Sequence, residues 1–156
     1  MRERSAEVGL LVDILSQTPG RLHCSSRPRR TAPSGGEWSA VEVVSHLRCC
    51  ADVWGGAIAT ILNRDESVLR ARNPLTWAHT TDYLRRSYRD NCESFAGQRA
   101  ALLEQLGTLT PHQWSQHITV TGAGAPRERS VTDYVRRLAL HERSHWRQVA
   151  RLVGAG

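Results

Sequence analysis

The sequence contains no lysine, so each of its 21 basic residues is an arginine. This absence excludes the enzyme classes that form a Schiff base through a lysine amine. The arginines outnumber the 15 acidic residues and give a formal net charge of +6, but they occur along the whole chain. A nucleic-acid-binding surface typically needs a concentrated basic patch, so we expect no nucleic-acid partner.

Long apolar runs and paired cysteine motifs are also lacking. The longest nearly uncharged stretch, Val53 to Leu62, is far shorter than the roughly 20 apolar residues of a membrane helix. The apolar run from Val8 to Leu15 is interrupted by Asp13 and is followed by no convincing signal-peptide cleavage site. The four cysteines contain no CxxC pair: Cys24, Cys49, Cys50 and Cys92. We therefore expect a cytoplasmic protein with reduced thiols and no membrane partner.

Apolar periodicity predicts four helices. They cover residues 3–17, about 40–62, from Thr80 or Thr81 to near Gly107, and from Ser130 or Thr132 almost to the C-terminus. Long connections follow the first and the third. The alternating segment His117 to Thr121 allows a brief strand and a small hairpin before the last helix. This pattern predicts a single all-α domain over residues 1–156, folded as a four-helix bundle.

Local signals support the second and third helices. Ser39 and Glu42 have the spacing of a capping box, and Trp38 precedes them like a hydrophobic staple. The inner face of the third helix is predicted to carry Leu84, Tyr88, Phe95, Leu102 and Leu106.

His141 to His145 spell HExxH, the zinc-protease motif in which the glutamate acts as general base. The two histidines are four residues apart, so one helix face presents both to a single ion. Zinc proteases of this type take their third ligand downstream, yet none of the eleven residues after His145 is His, Asp, Glu or Cys. They also bind substrates along a strand edge, for which this sequence offers one short segment at most. We therefore favour a metal site whose third ligand lies upstream.

His46 is the upstream histidine that best fits this requirement. It lies on the inner side of the second helix, between Val43 and Cys50. The other histidines fall in loops or at helix ends: His23, His79, His112 and His117. A single histidine on an apolar face is most often a structural residue. A buried His141–His145 pair nearby favours instead the interpretation of His46 as a metal ligand. Three imidazoles leave coordination positions open, as in catalytic sites.

Neighbouring residues allow two interpretations each. Cys50, one turn after His46, is either a buried small hydrophobe or a side chain of the same pocket, and the first is favoured. Glu42, one turn before His46, is either a side chain of the same pocket or a capping residue, and the second is favoured. For Glu142, contact with solvent and arginine residues, or support of the ligands, is favoured over contact with a metal-bound water. Among the tryptophans, we expect only Trp54 to border the pocket.

Two segments resemble the DinB/YfiT-like superfamily of metal-dependent enzymes: WSAVEVVSHL at 38–47 and LHERSHWRQ at 140–148. In that family a tryptophan precedes helix two, one histidine lies within it, and an HxxxH pair followed by glutamine lies in helix four. The resemblance implies that His46, His141 and His145 are the metal ligands. It also implies a four-helix bundle with a long crossover, often a homodimer, that binds zinc, nickel or a similar divalent ion.

Related members of that family include low-molecular-weight-thiol S-transferases and a mycothiol-dependent maleylpyruvate isomerase, although isomerase-type members carry a glutamate at the position of His141. The leading hypothesis is a metal-dependent enzyme, a hydrolase or thiol S-transferase, with a small-molecule substrate. The alternative is a non-enzymatic metal- or ligand-binding stress-response protein. Imidazole suits zinc, nickel, iron and copper alike, so the pattern assigns neither the metal nor a catalytic residue.

Overall fold

The structure is a computed structural model that describes residues 2–28, 32, 35–64 and 66–154, with side chains from residue 6 onward. In chain order its elements are α1 (Arg2–Arg21), α2 (Ala40–Asn63), β1 (Val68–Arg70), α3 (Pro74–Trp77), α4 (Tyr88–Gly107), α5 (Pro111–Ser115), β2 (His117–Thr121), β3 (Arg127–Ser130) and α6 (Val131–Gly154). Two short 3-10 helices, Ala78–Thr80 and Tyr83–Arg85, precede α4. Within these described ranges, no helix is both long and apolar enough to cross a membrane.

The long helices α1, α2, α4 and α6 form a bundle in which α1 and α2 each pack against both α4 and α6. Consecutive helices α1 and α2 therefore lie diagonally opposite each other, and so do α4 and α6. A diagonal connection has to cross one end of the bundle, which accounts for the length of segments 22–39 and 108–130. The predicted four-helix bundle, with long connections after its first and third helices, is confirmed.

Side-chain caps fix the starts of the two helices that carry the predicted ligands. On α2 the Ser39 amide donates to Glu42 Oε2 at 2.7 Å, and the Glu42 amide donates to Ser39 Oγ at 3.3 Å. On α6 the Ser130 amide donates to Asp133 Oδ2 at 2.9 Å, and the Asp133 amide donates to Ser130 Oγ at 3.1 Å. The capping roles predicted for Ser39, Glu42 and Ser130 are confirmed, and such caps typically contribute about 1 kcal/mol each.

The start of α4 differs from the prediction. The helix begins at Tyr88 with Ser87 as its cap, so the predicted caps Thr80 and Thr81 are wrong. Hydrogen bonds explain the later start, because the Tyr83 hydroxyl donates to Asp52 of α2 and the Asn91 side-chain Nδ2 donates to the Tyr83 carbonyl. These contacts hold the preceding segment in 3-10 turns against α2.

Leu84 was expected on the inner face of this helix but is 49% exposed. The first helix also differs, since it continues through Pro19 to Arg21 rather than stopping at residue 17. Burial of Leu22 just beyond this end favours the longer helix.

A three-stranded sheet lies before the last helix, with β2 between β1 and β3. The β2–β3 pair is antiparallel, so the predicted strand at His117–Thr121 and its hairpin are confirmed. Strand β1 pairs with β2 in parallel, with Leu69 opposite Val120. It is only three residues long and shows no alternation that would have predicted it.

Two apolar clusters fill the bundle and meet at a polar layer. One cluster includes Leu15, Ile58 and Val135, and the other includes Val43 and Phe95. Each long helix contributes polar side chains between them: Thr18 from α1, His46 from α2, Arg99 from α4, and His141, Glu142 and His145 from α6. The predicted metal ligands therefore belong to a layer built from all four long helices.

Candidate metal centre

The packing of α2 against α6 brings the three predicted histidines together. The ring centroids of His46 and His141 are 5.0 Å apart, those of His46 and His145 are 5.5 Å apart, and those of His141 and His145 are 4.6 Å apart. The remaining histidines are exposed and lie outside this cluster: His23, His79, His112 and His117.

Burial keeps the three imidazoles neutral. It lowers the pKa of His46 from 6.5 to about 4, and the proximity of His145 acts in the same direction. Burial also lowers the pKa of His141 to about 4, assisted by the neighbouring histidines and Arg137. The pKa of His145 is lowered for the same reason. Neutral imidazole has the free nitrogen lone pair that a metal ion requires.

The orientation of His145 is fixed by a residue one turn further along α6. Its Nδ1 donates to Gln148 Oε1 at 2.7 Å. A neutral imidazole that donates through Nδ1 carries its lone pair on Nε2, so this contact selects the tautomer. Metal-binding histidines commonly make such a hydrogen bond through their second nitrogen.

Two tryptophans border the cluster. Trp38 lies near-parallel to His145 with ring centroids 6.3 Å apart, and edge-on to His46 at 5.0 Å. Trp54 lies edge-on to His141 at 5.1 Å. The prediction for Trp54 agrees with this geometry, but the expectation that no other tryptophan borders the pocket is wrong. Trp38 directly precedes Ser39, the cap of α2, and this position places its ring beside His46.

Cys50 faces the same point as the histidines. Its Sγ is 3.5 Å from both His46 Nε2 and His141 Nε2, and the two nitrogens are 2.9 Å apart. With zinc–sulfur and zinc–nitrogen bonds of about 2.3 and 2.1 Å, tetrahedral geometry separates sulfur from nitrogen by about 3.6 Å. The two nitrogens are closer together than the about 3.4 Å of that geometry, so a bound ion would require a small shift of the imidazole rings. Among the described residues, the donor atoms that lie within 4.8 Å of one another are those of His46, Cys50 and His141, and His145 is not part of this group. Cys50 is therefore both a buried side chain and a member of the pocket.

Glu142 does not contact solvent, so this part of the interpretation favoured from the sequence is wrong, whereas its contact with an arginine agrees with that interpretation. Its side chain is fully buried and forms an ion pair with Arg99 of α4. Burial raises the pKa of Glu142 to about 7, while the adjacent guanidinium acts in the opposite direction. Glu142 Oε2 and Arg99 Nε and Nη1 have no hydrogen-bond partner in the described part of the chain.

Arg99 is a residue of this layer that the sequence analysis missed. The available signal was its position in the apolar stripe of α4, between Phe95 and Leu102. An arginine at such a position is almost never fully buried unless it is paired. The stripe therefore indicated a buried acidic partner, although it did not indicate which one.

Comparisons with known proteins agree with this architecture. A family model described as the DinB superfamily matches residues 25–149. A solved structure of YfiT from Bacillus subtilis, described as a probable metal-dependent hydrolase with an unusual four-helix bundle topology, aligns with a TM-score of 0.71 and 16% identity. The alignment covers 94% of this chain and 87% of that chain, and at this identity it shows the fold alone. No curated protein matches the sequence.

Proposed function

We propose that this chain, which belongs to the DinB superfamily, is a metal-dependent enzyme that acts on a small molecule. In this proposal a divalent ion, zinc or nickel, is held by His46, His141 and His145. The supporting observation is the proximity of three imidazole rings from two helices, with centroids 4.6 to 5.5 Å apart, in the polar layer of an apolar bundle. The description of YfiT as a probable metal-dependent hydrolase supports the same class of chemistry.

The reaction is hydrolysis or transfer of a low-molecular-weight thiol. A divalent ion bound here would supply Lewis acidity, which lowers the pKa of a water or thiol and provides a nucleophile near neutral pH. The chain's own residues orient and shield this point. Gln148 fixes His145, and Trp38 and Trp54 restrict access of bulk water to the imidazoles.

A screen of metal-stripped and reloaded protein tests the proposal. The protein is treated with chelator, reloaded with zinc or nickel, and assayed against simple esters and amides and against thiol–electrophile pairs. We expect turnover only after reloading, loss of that turnover in His145→Ala, and retention in His79→Ala, which removes an exposed histidine outside the cluster. Equal rates with and without metal, or no turnover by the loaded protein on either substrate set, would contradict the enzyme proposal.

A second candidate, a non-enzymatic protein whose ion stabilises the bundle, is favoured by one observation. Cys50 Sγ is 3.5 Å from both His46 Nε2 and His141 Nε2, so it could complete a closed set of four protein donors. Closed sets are typical of structural sites, whereas catalytic sites keep an open position.

Cobalt(II) substitution distinguishes the two candidates. A thiolate-to-cobalt charge-transfer band that disappears in Cys50→Ser would favour the structural site. A spectrum that is the same in the wild type and Cys50→Ser would favour the three-histidine site with an open position.

We also propose that the chain is a cytoplasmic homodimer. The family resemblance supports the dimer, and four free cysteines suit a reducing compartment. Light scattering coupled to size-exclusion chromatography tests the dimer directly, and a mass of one chain would refute it.

A further inference from the structure

A cleft of about 560 Å³ lies between α2, the three-stranded sheet and α6. This volume is within the usual range for small-molecule sites. Aromatic and apolar side chains line part of it: Trp54, Trp77, Tyr134, Leu69 and Val120. The cleft is separate from the histidine cluster but shares Trp54 with it.

Arginine is the most frequent residue in the lining of this cleft. Five line it: Arg70, Arg72, Arg127, Arg129 and Arg137. None of the five forms an ion pair with a carboxylate in the described ranges. The cleft also contains Asp52 and Glu66, but Asp52 already accepts hydrogen bonds from the Trp77 indole and the Tyr83 hydroxyl. The lining therefore has an excess of positive charge that faces a concave surface.

The strand register explains how the two arginines of β3 reach the cleft. Residues directly opposite each other in a sheet share one face. Arg127 lies opposite Val120, and Arg129 lies opposite Ile118. Because Ile118 and Val120 pack against the bundle core, the face they share is turned towards the helices. The arginines of β3 are thus placed on the helix-facing side, at the sheet edge.

Arg70 reaches the cleft from the opposite edge strand, β1. Its side chain passes close to Gly122, where φ is +84°. A Cβ at this position would approach Arg70 Cγ at 3.2 Å, which is tighter than most real contacts. Glycine therefore permits both the turn conformation and the course of the arginine side chain across it.

Arg137 connects the cleft to the histidine cluster. Its guanidinium carbon lies 4.4 Å from the centroid of the Trp54 ring, and the same tryptophan makes a T-shaped contact with His141. Arg137 also precedes His141 by one helical turn on α6. An anionic group bound by Arg137 would therefore be separated from the imidazoles by a single side chain.

We propose that this cleft binds a small anion with more than one carboxylate or phosphate group, and that such anions are the substrate class of the adjacent metal centre. The second part rests on the proposed function. Guanidinium groups bind such oxygen pairs through two parallel hydrogen bonds. Arginines on β1, β3 and α6 approach from different walls, which favours a molecule with separated anionic groups. The volume of the cleft favours a small molecule over a long polyanion.

Calorimetric titration with glutarate and with pyrophosphate tests the proposal, with the two probes distinguishing carboxylate from phosphate recognition. We expect saturable binding of at least one probe to wild-type protein. Arg137→Gln and Arg127→Gln should each weaken it roughly tenfold, the usual effect of losing a hydrogen bond to a charged group. Arg85→Gln, an exposed arginine outside the cleft, is the control with the same charge change.

If Arg85→Gln weakens anion binding as much as the cleft variants do, the anion is attracted by the net charge of the protein. That result would overturn the proposal that the cleft binds it. So would the absence of binding by both probes, or unchanged affinity in Arg137→Gln and Arg127→Gln. Circular dichroism confirms that each variant is folded. The same titration on His46→Ala, with the metal content measured beside it, separates the two proposals. Metal loss with retained anion binding in this variant leaves the cleft intact, whereas metal binding without anion binding in the wild type leaves the metal centre intact and overturns the cleft.

Discussion

At the scale of single residues, burial sets how the histidine cluster responds to pH. The pKa of His46 and His141 is lowered from 6.5 to about 4 in the metal-free protein. Between these values the unfolded chain binds more protons than the folded chain. The two residues therefore contribute stability that is fully present above about pH 6.5 and is lost as the pH falls towards 4.

The same shift predicts retention of metal in mild acid. Protons and metal compete for the imidazole lone pair, and a lowered pKa weakens the competition from protons. We expect metal-loaded protein dialysed at pH 5.5 to keep its ion and to release it only as the pH approaches 4, measured by elemental analysis. Release of half the ion above pH 6 would show that the histidines have ordinary pKa values.

Gln148 is predicted to act on metal affinity through His145. Removing its acceptor oxygen, 2.7 Å from His145 Nδ1, leaves the tautomer and orientation of the ring unfixed. Such supporting contacts typically change metal affinity by about 10- to 100-fold. We expect Gln148→Ala to weaken zinc binding by at least about tenfold in competition with a chromogenic chelator. Gln17→Ala, on the exposed surface of α1, is the matched control, and equal affinities would contradict this role.

At the scale of elements, the ion pair between Arg99 of α4 and Glu142 of α6 joins two helices that lie diagonally opposite in the bundle. Both side chains are buried, so removal of one partner leaves an uncompensated charge. We expect Arg99→Leu to lower the free energy of unfolding by about 3–5 kcal/mol in urea denaturation. The double variant Arg99→Met with Glu142→Leu should recover most of that loss. A single variant as stable as the wild type would show that the pair is not buried in solution.

Helix type was more predictable than helix boundaries or buried partners. Local caps at Ser39 and Ser130 act within three residues, so the starts of α2 and α6 could be predicted from short motifs. The start of α4 could not, because it depends on hydrogen bonds from the preceding segment to Asp52 on another helix. The pairing of Glu142 with Arg99 is likewise set by the packing of one helix against another.

At the scale of the whole molecule, the diagonal arrangement places the polar layer where all four long helices meet. His46, His141 and His145 could be nominated from the sequence because their spacing and their resemblance to a known family are local features. The arginine-lined cleft could not be predicted. Its residues come from β1, β3 and α6, and only the register of the sheet and its packing against the helices bring them to one surface.

Elemental analysis of purified wild-type protein beside His46→Ala, His145→Ala and the exposed control His112→Ala tests most directly whether the three histidines hold one metal ion. We predict close to one divalent ion per chain in the wild type and the control, and strong loss of the ion in the other two variants. Full retention of metal in His46→Ala or His145→Ala, with the variant folded, would contradict the three-histidine centre.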